Sequence, residues 1–157
     1  MRILIVDDSR FMRSALRRVL EADSRITVVG EASNGREGVE QARKLKPDVV
    51  TLDVEMPVLD GLGALELISK LPDAPAVLMC SSLTAEGSDA ALKALAAGAA
   101  DVIAKASHGA GMGTLGPELI EKVVAVGHAV RQRRSLGASR PKTRGSSTVP
   151  LRKDPSK

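Results

Sequence analysis

Three aspartates stand where short apolar runs stop. Asp7 and Asp8 follow ILIV (3–6), and Asp53 follows DVVTL (48–52). Two other polar groups hold the same kind of position: Ser81, with Ser82 behind it, follows AVLMC (76–80), and Lys105 follows DVIA (101–104). A carboxylate oxygen can attack phosphorus and form an acyl phosphate. Three carboxylates in one small volume repel one another, and a divalent cation that takes oxygen ligands, such as Mg2+, relieves that repulsion. An ammonium and a hydroxyl can neutralise and hydrogen-bond phosphoryl oxygens. The chemistry implied is Mg2+-assisted phosphoryl acceptance, with Asp53 as nucleophile, Asp7 and Asp8 holding metal, and Lys105 and Ser81 on the phosphoryl oxygens. Adjacent aspartates taken alone more often form a helix cap with a solvated neighbour. Their coincidence with Asp53 and Lys105 at matching strand ends favours the metal.

The elements that must position these groups alternate regularly. ILIV (3–6), ITVVG (26–30), DVVTL (48–52), AVLMC (76–80) and DVIA (101–104) are short, β-branched and apolar on both faces, as in a parallel sheet covered on both sides. Amphipathic stretches at 9–22, 35–45, 62–71, 86–97 and about 117–134 predict helices. In the first, Phe11, Met12, Ala15, Leu16, Val19 and Leu20 keep helical spacing, and Asp8 or Ser9 can cap its start. Asn34-Gly35, Lys46-Pro47, Asp60-Gly61, Pro72 to Pro75 and Gly98 punctuate the pattern at its boundaries. The expected fold is a doubly wound α/β domain, a five-stranded parallel sheet in a flavodoxin-like (βα)5 arrangement of strand order 2-1-3-4-5. In such sheets ligands bind outside the carboxyl ends of the strands, where the polar groups above would converge.

The chain of 157 residues fits one domain and a tail: a domain over 1–134 and a disordered Ser/Pro/Gly-rich basic linker or tail over 135–157. Hydrophobic residues are 43% of the chain, yet Phe11 is its one aromatic residue, so the core must be aliphatic. Charge is unevenly placed: residues 131–157 hold nine Lys or Arg and one Asp, whereas residues 1–130 hold fourteen Lys or Arg against eighteen acids. Any attraction to nucleic acid would rest on 131–157, which lacks aromatics for stacking; a solvated linker is the favoured reading. The one cysteine, Cys80, excludes an intrachain disulfide and reads as a buried small hydrophobe. No apolar run approaches a membrane span, and MRILIVDDSR does not read as a signal peptide, so the expected location is cytoplasmic.

ILIVDDS, DVVTLDVEMPVLDG, the Ser81-Ser82 strand end and GAADVIAK together resemble a response-regulator receiver domain over roughly residues 1–134. The resemblance implies Asp53 as phosphoacceptor and Asp8 as a direct metal ligand. Asp7 would act largely through water, and the Glu55 backbone carbonyl would complete the protein ligands. Ser81 would be the switch hydroxyl and Lys105 the phosphate-sensing lysine, with Met56-Pro57 and Gly61 shaping the loop after Asp53. DVEMP followed by VLMCSSLTAEGSDAALKALAAGAADVIAK is most similar to the receivers of the chemotaxis methylesterases (CheB). That likeness implies a histidine kinase as phosphodonor and, as output, a methylesterase/deamidase domain or a chemoreceptor complex. The chain would be such a receiver with its linker, either as a fragment or as a stand-alone relative acting by protein–protein binding. Two positions depart from the family: Ala106 stands where Pro usually follows the lysine, and Val102 where an aromatic ring is typical. No ring would then follow the Ser81 hydroxyl on switching.

A Mg2+-dependent phosphatase is the enzyme alternative, though Glu55 stands where the commoner Asp-x-Asp phosphatases carry their acid. A passive interaction module is the other. GMGTLG (111–116) matches a dinucleotide fingerprint but leads to no further strand or ribose-binding acid, so a flexible loop is the reading adopted. His108 and His128 are isolated, and no nucleophile elbow surrounds Ser81 or Ser82.

Overall fold

The computed structural model describes residues 1–54, 56, 58–81, 85–104 and 111–136. Five strands, β1 (Arg2–Val6), β2 (Thr27–Ala32), β3 (Val49–Asp53), β4 (Ala76–Ser81) and β5 (Asp101–Ala104), alternate with five helices. These are α1 (Arg10–Glu21), α2 (Gly35–Leu45), α3 (Gly61–Ser69), α4 (Ala85–Ala96) and α5 (Gly111–Ser135). The strands form one parallel sheet in the order β2-β1-β3-β4-β5, as expected of the doubly wound class.

The period-two alternation of a strand explains how apolar runs serve two layers at once. Ile3, Ile5, Val49, Leu78 and Cys80 pack with Leu16 and Leu20 of α1 and Leu119, Val123 and Val130 of α5. Leu4, Val6, Val50, Leu52, Val77 and Met79 face the other way, against Val39 and Ala42 of α2, Ala64, Leu65 and Ile68 of α3, and Ala94 of α4. Every residue of β3 and β4 is buried, so the central strands carry no polar face.

Local polar chemistry sets where the helices begin. The Ser9 hydroxyl accepts from the Met12 backbone N–H at 3.1 Å, so Ser9 rather than Asp8 caps α1. Asn34 and Asp60 accept from the backbone N–H groups of Glu37 and Gly63, each at 2.9 Å, and cap α2 and α3. Lys46 ends α2 in the left-handed region at φ 52°, next to Pro47, which cannot continue a helix.

Three expectations change. Phe11 keeps helical spacing yet is 79% exposed. It lies in the first turn of α1, off the edge of the stripe whose centre buries Ala15, Leu16 and Leu20. The segment 111–116 is the start of α5 and not a loop, which places Pro117 inside the helix. Gly116 lets α5 pack closely on α1, since a Cβ there would stand 3.3 Å from Val19 Cγ1; tertiary packing outweighs the poor local propensity of the glycines.

The third change concerns the basic segment. Arg131, Arg133 and Arg134 belong to α5 and reach the N-terminal ends of β3 and β4. Arg134 Nη1 donates to Asp48 Oδ1 at 3.0 Å, and its Nη2 donates to the carbonyls of Pro47 at 3.0 Å and Asp73 at 2.7 Å. Arg131 Nε stands 3.8 Å from Asp48 Oδ2, and Arg133 donates to the Ala74 carbonyl at 3.3 Å. These cations hold the end of α5 to the sheet and so are not part of a solvated linker. The side chain of Asp48 is only 8% exposed, so Arg134→Ala strands most of a buried charge. A loss of about 2 kcal/mol in denaturant unfolding is expected. Arg131→Ala, which removes the longer 3.8 Å contact with the same carboxylate from a more exposed side chain, should cost a few tenths, and equal costs would contradict this account.

Among the described residues, no helix is long and apolar enough to cross a membrane. Residues 137–157, assigned from sequence to a linker or tail, lie outside the described residues.

Candidate functional site

In the order β2-β1-β3, the chain leaves β1 toward β2 on one side, and β3 joins on the other. This reversal opens a crevice at the carboxyl ends of β1 and β3. Asp7 and Asp8 follow β1 there, and Asp53 is the last residue of β3. Asp7 is 1% and Asp53 4% exposed, while Asp8 opens to solvent. One carboxylate oxygen from each lies within 4.8 Å of the others. Hard anionic oxygens so close together, one facing solvent, suit a divalent cation that keeps some of its water. Sequence spacing could show only that each acid ends a strand; strand order brings them together.

The backbone around the acids is tied down. The Asp7 N–H continues the ladder to the Ala32 carbonyl at 3.0 Å, and Asp7 Oδ1 accepts from the Ser9 N–H at 2.9 Å. After Asp53 the Val54 N–H donates to the Cys80 carbonyl at 3.1 Å, and the Gly61 N–H returns to the Val54 carbonyl at 2.9 Å. The start of α3 therefore lies directly against the end of β3. A Cβ on Gly61 would stand 2.3 Å from the Asp53 carbonyl oxygen, so the loop closes only with glycine there. Val58 in that loop has φ 71°, a costly conformation for a β-branched residue and one that apolar patterning does not reveal.

Ser81 ends β4 and is 5% exposed, opposite Ala104, the last residue of β5. In register, however, Asp53 pairs with Cys80. Alternation therefore gives Cys80 the face shared with Asp53, and its burial fits the reading as a small hydrophobe. Lys105 and Glu55, both expected at this site, lie outside the described residues, as do Ser82, Ala106 and His108. Val102 is half-buried on β5 and packs in the layer of α2, α3 and α4, without the ring typical of that position. His128 is exposed on α5.

One group near the acids was not legible beforehand. Arg13, in the first turns of α1, donates from Nη1 to the Asp7 backbone carbonyl at 2.7 Å and from Nε to Glu31 Oε1 at 3.2 Å. Arg17 Nε donates to the other oxygen of Glu31 at 2.7 Å. The Arg17 hydrogen bond foremost, with Arg13 adding to it, holds the Glu31 carboxyl below its ordinary value. Glu31 therefore stays ionised at neutral pH, and releasing the two arginines takes more acid than protonating an unpaired glutamate would. No spacing rule singles out Arg13 among the arginines of α1, because its partners come from other elements.

The family model of the response regulator receiver domain matches residues 3–112. The chain belongs to the response regulator receiver domain family. The receiver is similar to the crystallised response regulator domain of Thermotoga maritima CheB, with 44% identity and a TM-score of 0.74 over 82% of this chain and 96% of that one. It is also similar to a chain in the CheX–CheY–BeF3–Mg2+ complex of Borrelia burgdorferi, with 27% identity and a TM-score of 0.68 over 80% of this chain and 88% of that one. Among curated proteins, it is 49% identical over 130 residues to the protein-glutamate methylesterase/protein-glutamine glutaminase of Symbiobacterium thermophilum. That match covers 82% of this receiver and 36% of the relative. With a similarly named protein of Oleidesulfovibrio alaskensis the identity is 57% over 104 residues, 66% of this chain and 28% of that one. The receiver thus spans about a third of the length of these relatives.

Proposed function

We propose that this receiver is a phosphorylation-dependent switch of a chemotaxis pathway, in which Asp53 accepts a phosphoryl group from a histidine kinase. The observation that carries the reading is the meeting of Asp7, Asp8 and Asp53 within 4.8 Å at the crevice of the sheet. Asp53 is the nucleophile because it ends the central strand β3, with the acid pair beside it. Its carboxylate oxygen bonds to phosphorus as the bond from phosphorus to the histidine nitrogen breaks, and the released electron pair stays on the imidazole. Asp8 and Asp53, the Glu55 carbonyl, and Asp7 through water would hold Mg2+. When bound, the ion supplies positive charge against the acids and the phosphoryl oxygens. The Mg2+ of the Borrelia complex supports that choice of ion. Lys105 and Ser81 are assigned to the remaining phosphoryl oxygens.

The named relatives support a methylesterase/glutaminase as the output under control; a chemoreceptor complex is the other output proposed. A kinase-fed switch of this kind works in the cytoplasm. Phosphorylation changes that output only as far as the phosphoryl group favours one conformation over the other.

The test is intact-mass measurement after incubation with Mg2+ and a small phosphodonor. One phosphoryl adduct per chain is expected, absent when EDTA is present. Sustained turnover of varied phosphate esters would instead make the domain a phosphatase. No adduct under any metal condition would refute the acceptor role.

A further inference from the structure

Arg13 holds the peptide that links the two metal-facing acids. The carbonyl of Asp7 is half of the Asp7–Asp8 peptide, so fixing it fixes the plane from which both carboxylates depart. The rest of this turn is already anchored, by the Asp7 N–H on Ala32 and by the Ser9 N–H on Asp7 Oδ1. Arg13 donates to that carbonyl at 2.7 Å from a side chain only 16% exposed. The guanidinium is itself aimed, because its Nε is held by Glu31 on β2 and Glu31 by Arg17 from the next turn of α1. A planar fork reaches the carbonyl and the carboxylate from two separate nitrogens at fixed angles, whereas an ammonium would have to reach both from one atom on a flexible stem.

We infer that Arg13 is a positioning residue for the acidic site, setting the affinity of the Asp7–Asp8–Asp53 cluster for its divalent cation through the Asp7 carbonyl. This rests on the metal-assisted acceptor reading above. Two physical effects of Arg13 have opposite signs, which makes the inference decidable. A cation near the cluster repels the incoming ion, so charge alone predicts tighter Mg2+ binding once Arg13 is gone. Loss of the fixed peptide plane predicts weaker binding. Groups that orient metal ligands are typically worth about 10–100-fold in metal affinity. The lower end applies here, because Ser9 and the strand ladder still hold Asp7.

The experiment is calorimetric titration of the whole chain with MgCl2, for the wild type, Arg13→Met and Arg13→Lys. Each protein is also melted in metal-free buffer and phosphorylated by a small donor across a range of Mg2+. Arg13→Met is expected to bind Mg2+ about tenfold more weakly. Its phosphorylation should need correspondingly more Mg2+ for half-maximal rate, with the rate at saturating Mg2+ close to the wild type. Arg13→Lys, which keeps the charge and most of the stem, should not restore affinity. Equal or tighter binding by Arg13→Met, or full recovery by Arg13→Lys, would overturn the inference and leave the acceptor reading standing. A wild type that binds no Mg2+ would remove both. A large fall in metal-free melting temperature for both variants would reassign Arg13 to holding the fold, which also overturns it.

Discussion

Asp53→Asn is expected to yield a folded protein that takes up no phosphoryl group from a small donor at any Mg2+ concentration. The amide keeps the size and shape of the carboxylate, but its nitrogen lone pair is delocalised and its oxygen is uncharged, so neither attacks phosphorus. Removing the nucleophile of a covalent enzyme costs roughly 10^4-fold or more in rate, which here means an adduct below detection. A second readout separates this chemistry from general damage. Asp53 is 4% exposed and shares a space of 4.8 Å with Asp7 and Asp8, so deleting one negative charge relieves repulsion. The metal-free melting temperature should therefore match or exceed that of the wild type. The rise in melting temperature that Mg2+ confers on the wild type should shrink, because stabilisation by a ligand follows its affinity for the folded state. An adduct that persists in the variant would place the acceptor at another residue.

Gly61→Ala is expected to lower stability by about 3 kcal/mol, near the upper end of what one methyl group forced into a packed site costs. The added carbon would lie 2.3 Å from the Asp53 carbonyl oxygen and 2.7 Å from Val54 Cα. Both are backbone atoms at the end of a wholly buried strand, and the Gly61 N–H is bonded to the Val54 carbonyl at 2.9 Å. Nothing flexible can give way, so α3 must move off the sheet or the peptide after Asp53 must turn. The second movement would displace the acceptor itself, and phosphoryl uptake should fall together with the denaturant midpoint. Gly127→Ala is the control. A Cβ there would meet the Met1 side chain, with its sulfur at 2.2 Å, and that chain can swing aside. Its cost should be small and partly offset by the better helix propensity of alanine, up to about 1 kcal/mol. Similar losses at both glycines would mean that rigidity of the contacted atoms does not decide the outcome.

The elements were largely legible because their signals are short-range. Apolar runs of strand length, helical spacing and the residues Ser9, Asn34, Asp60 and Lys46 at helix ends all act within a turn or two of chain. Where a longer-range contact competes with a local signal, the reading changed. α5 extends back over glycine-rich 111–116, with Gly116 close against Val19 of α1, and Phe11 is exposed because it lies off the edge of the buried stripe of α1. Arg131, Arg133 and Arg134 looked like part of a solvated run, yet their partners Asp48, Pro47, Asp73 and Ala74 lie some sixty to ninety residues earlier in the chain.

The same division runs through the acidic site. Residue types and strand ends alone mark Asp7, Asp8, Ser81 and Asp53, because a polar group directly after an apolar run sits at the rim of a sheet whatever the strand order. The tertiary structure decides which rim positions meet. Placing β1 beside β3 converts three separated acids into one cluster within 4.8 Å, and pairing β3 with β4 sets Cys80 rather than Ser81 in register with Asp53. The grip of Arg13 on the Asp7 carbonyl and the closeness of Gly61 to Asp53 also arise only when separate elements pack. The physical reason is reach: a side chain's type and its neighbours along the chain set what it can do. Contacts between distant segments form only once the core has closed, and they set how firmly the acids are held for that chemistry.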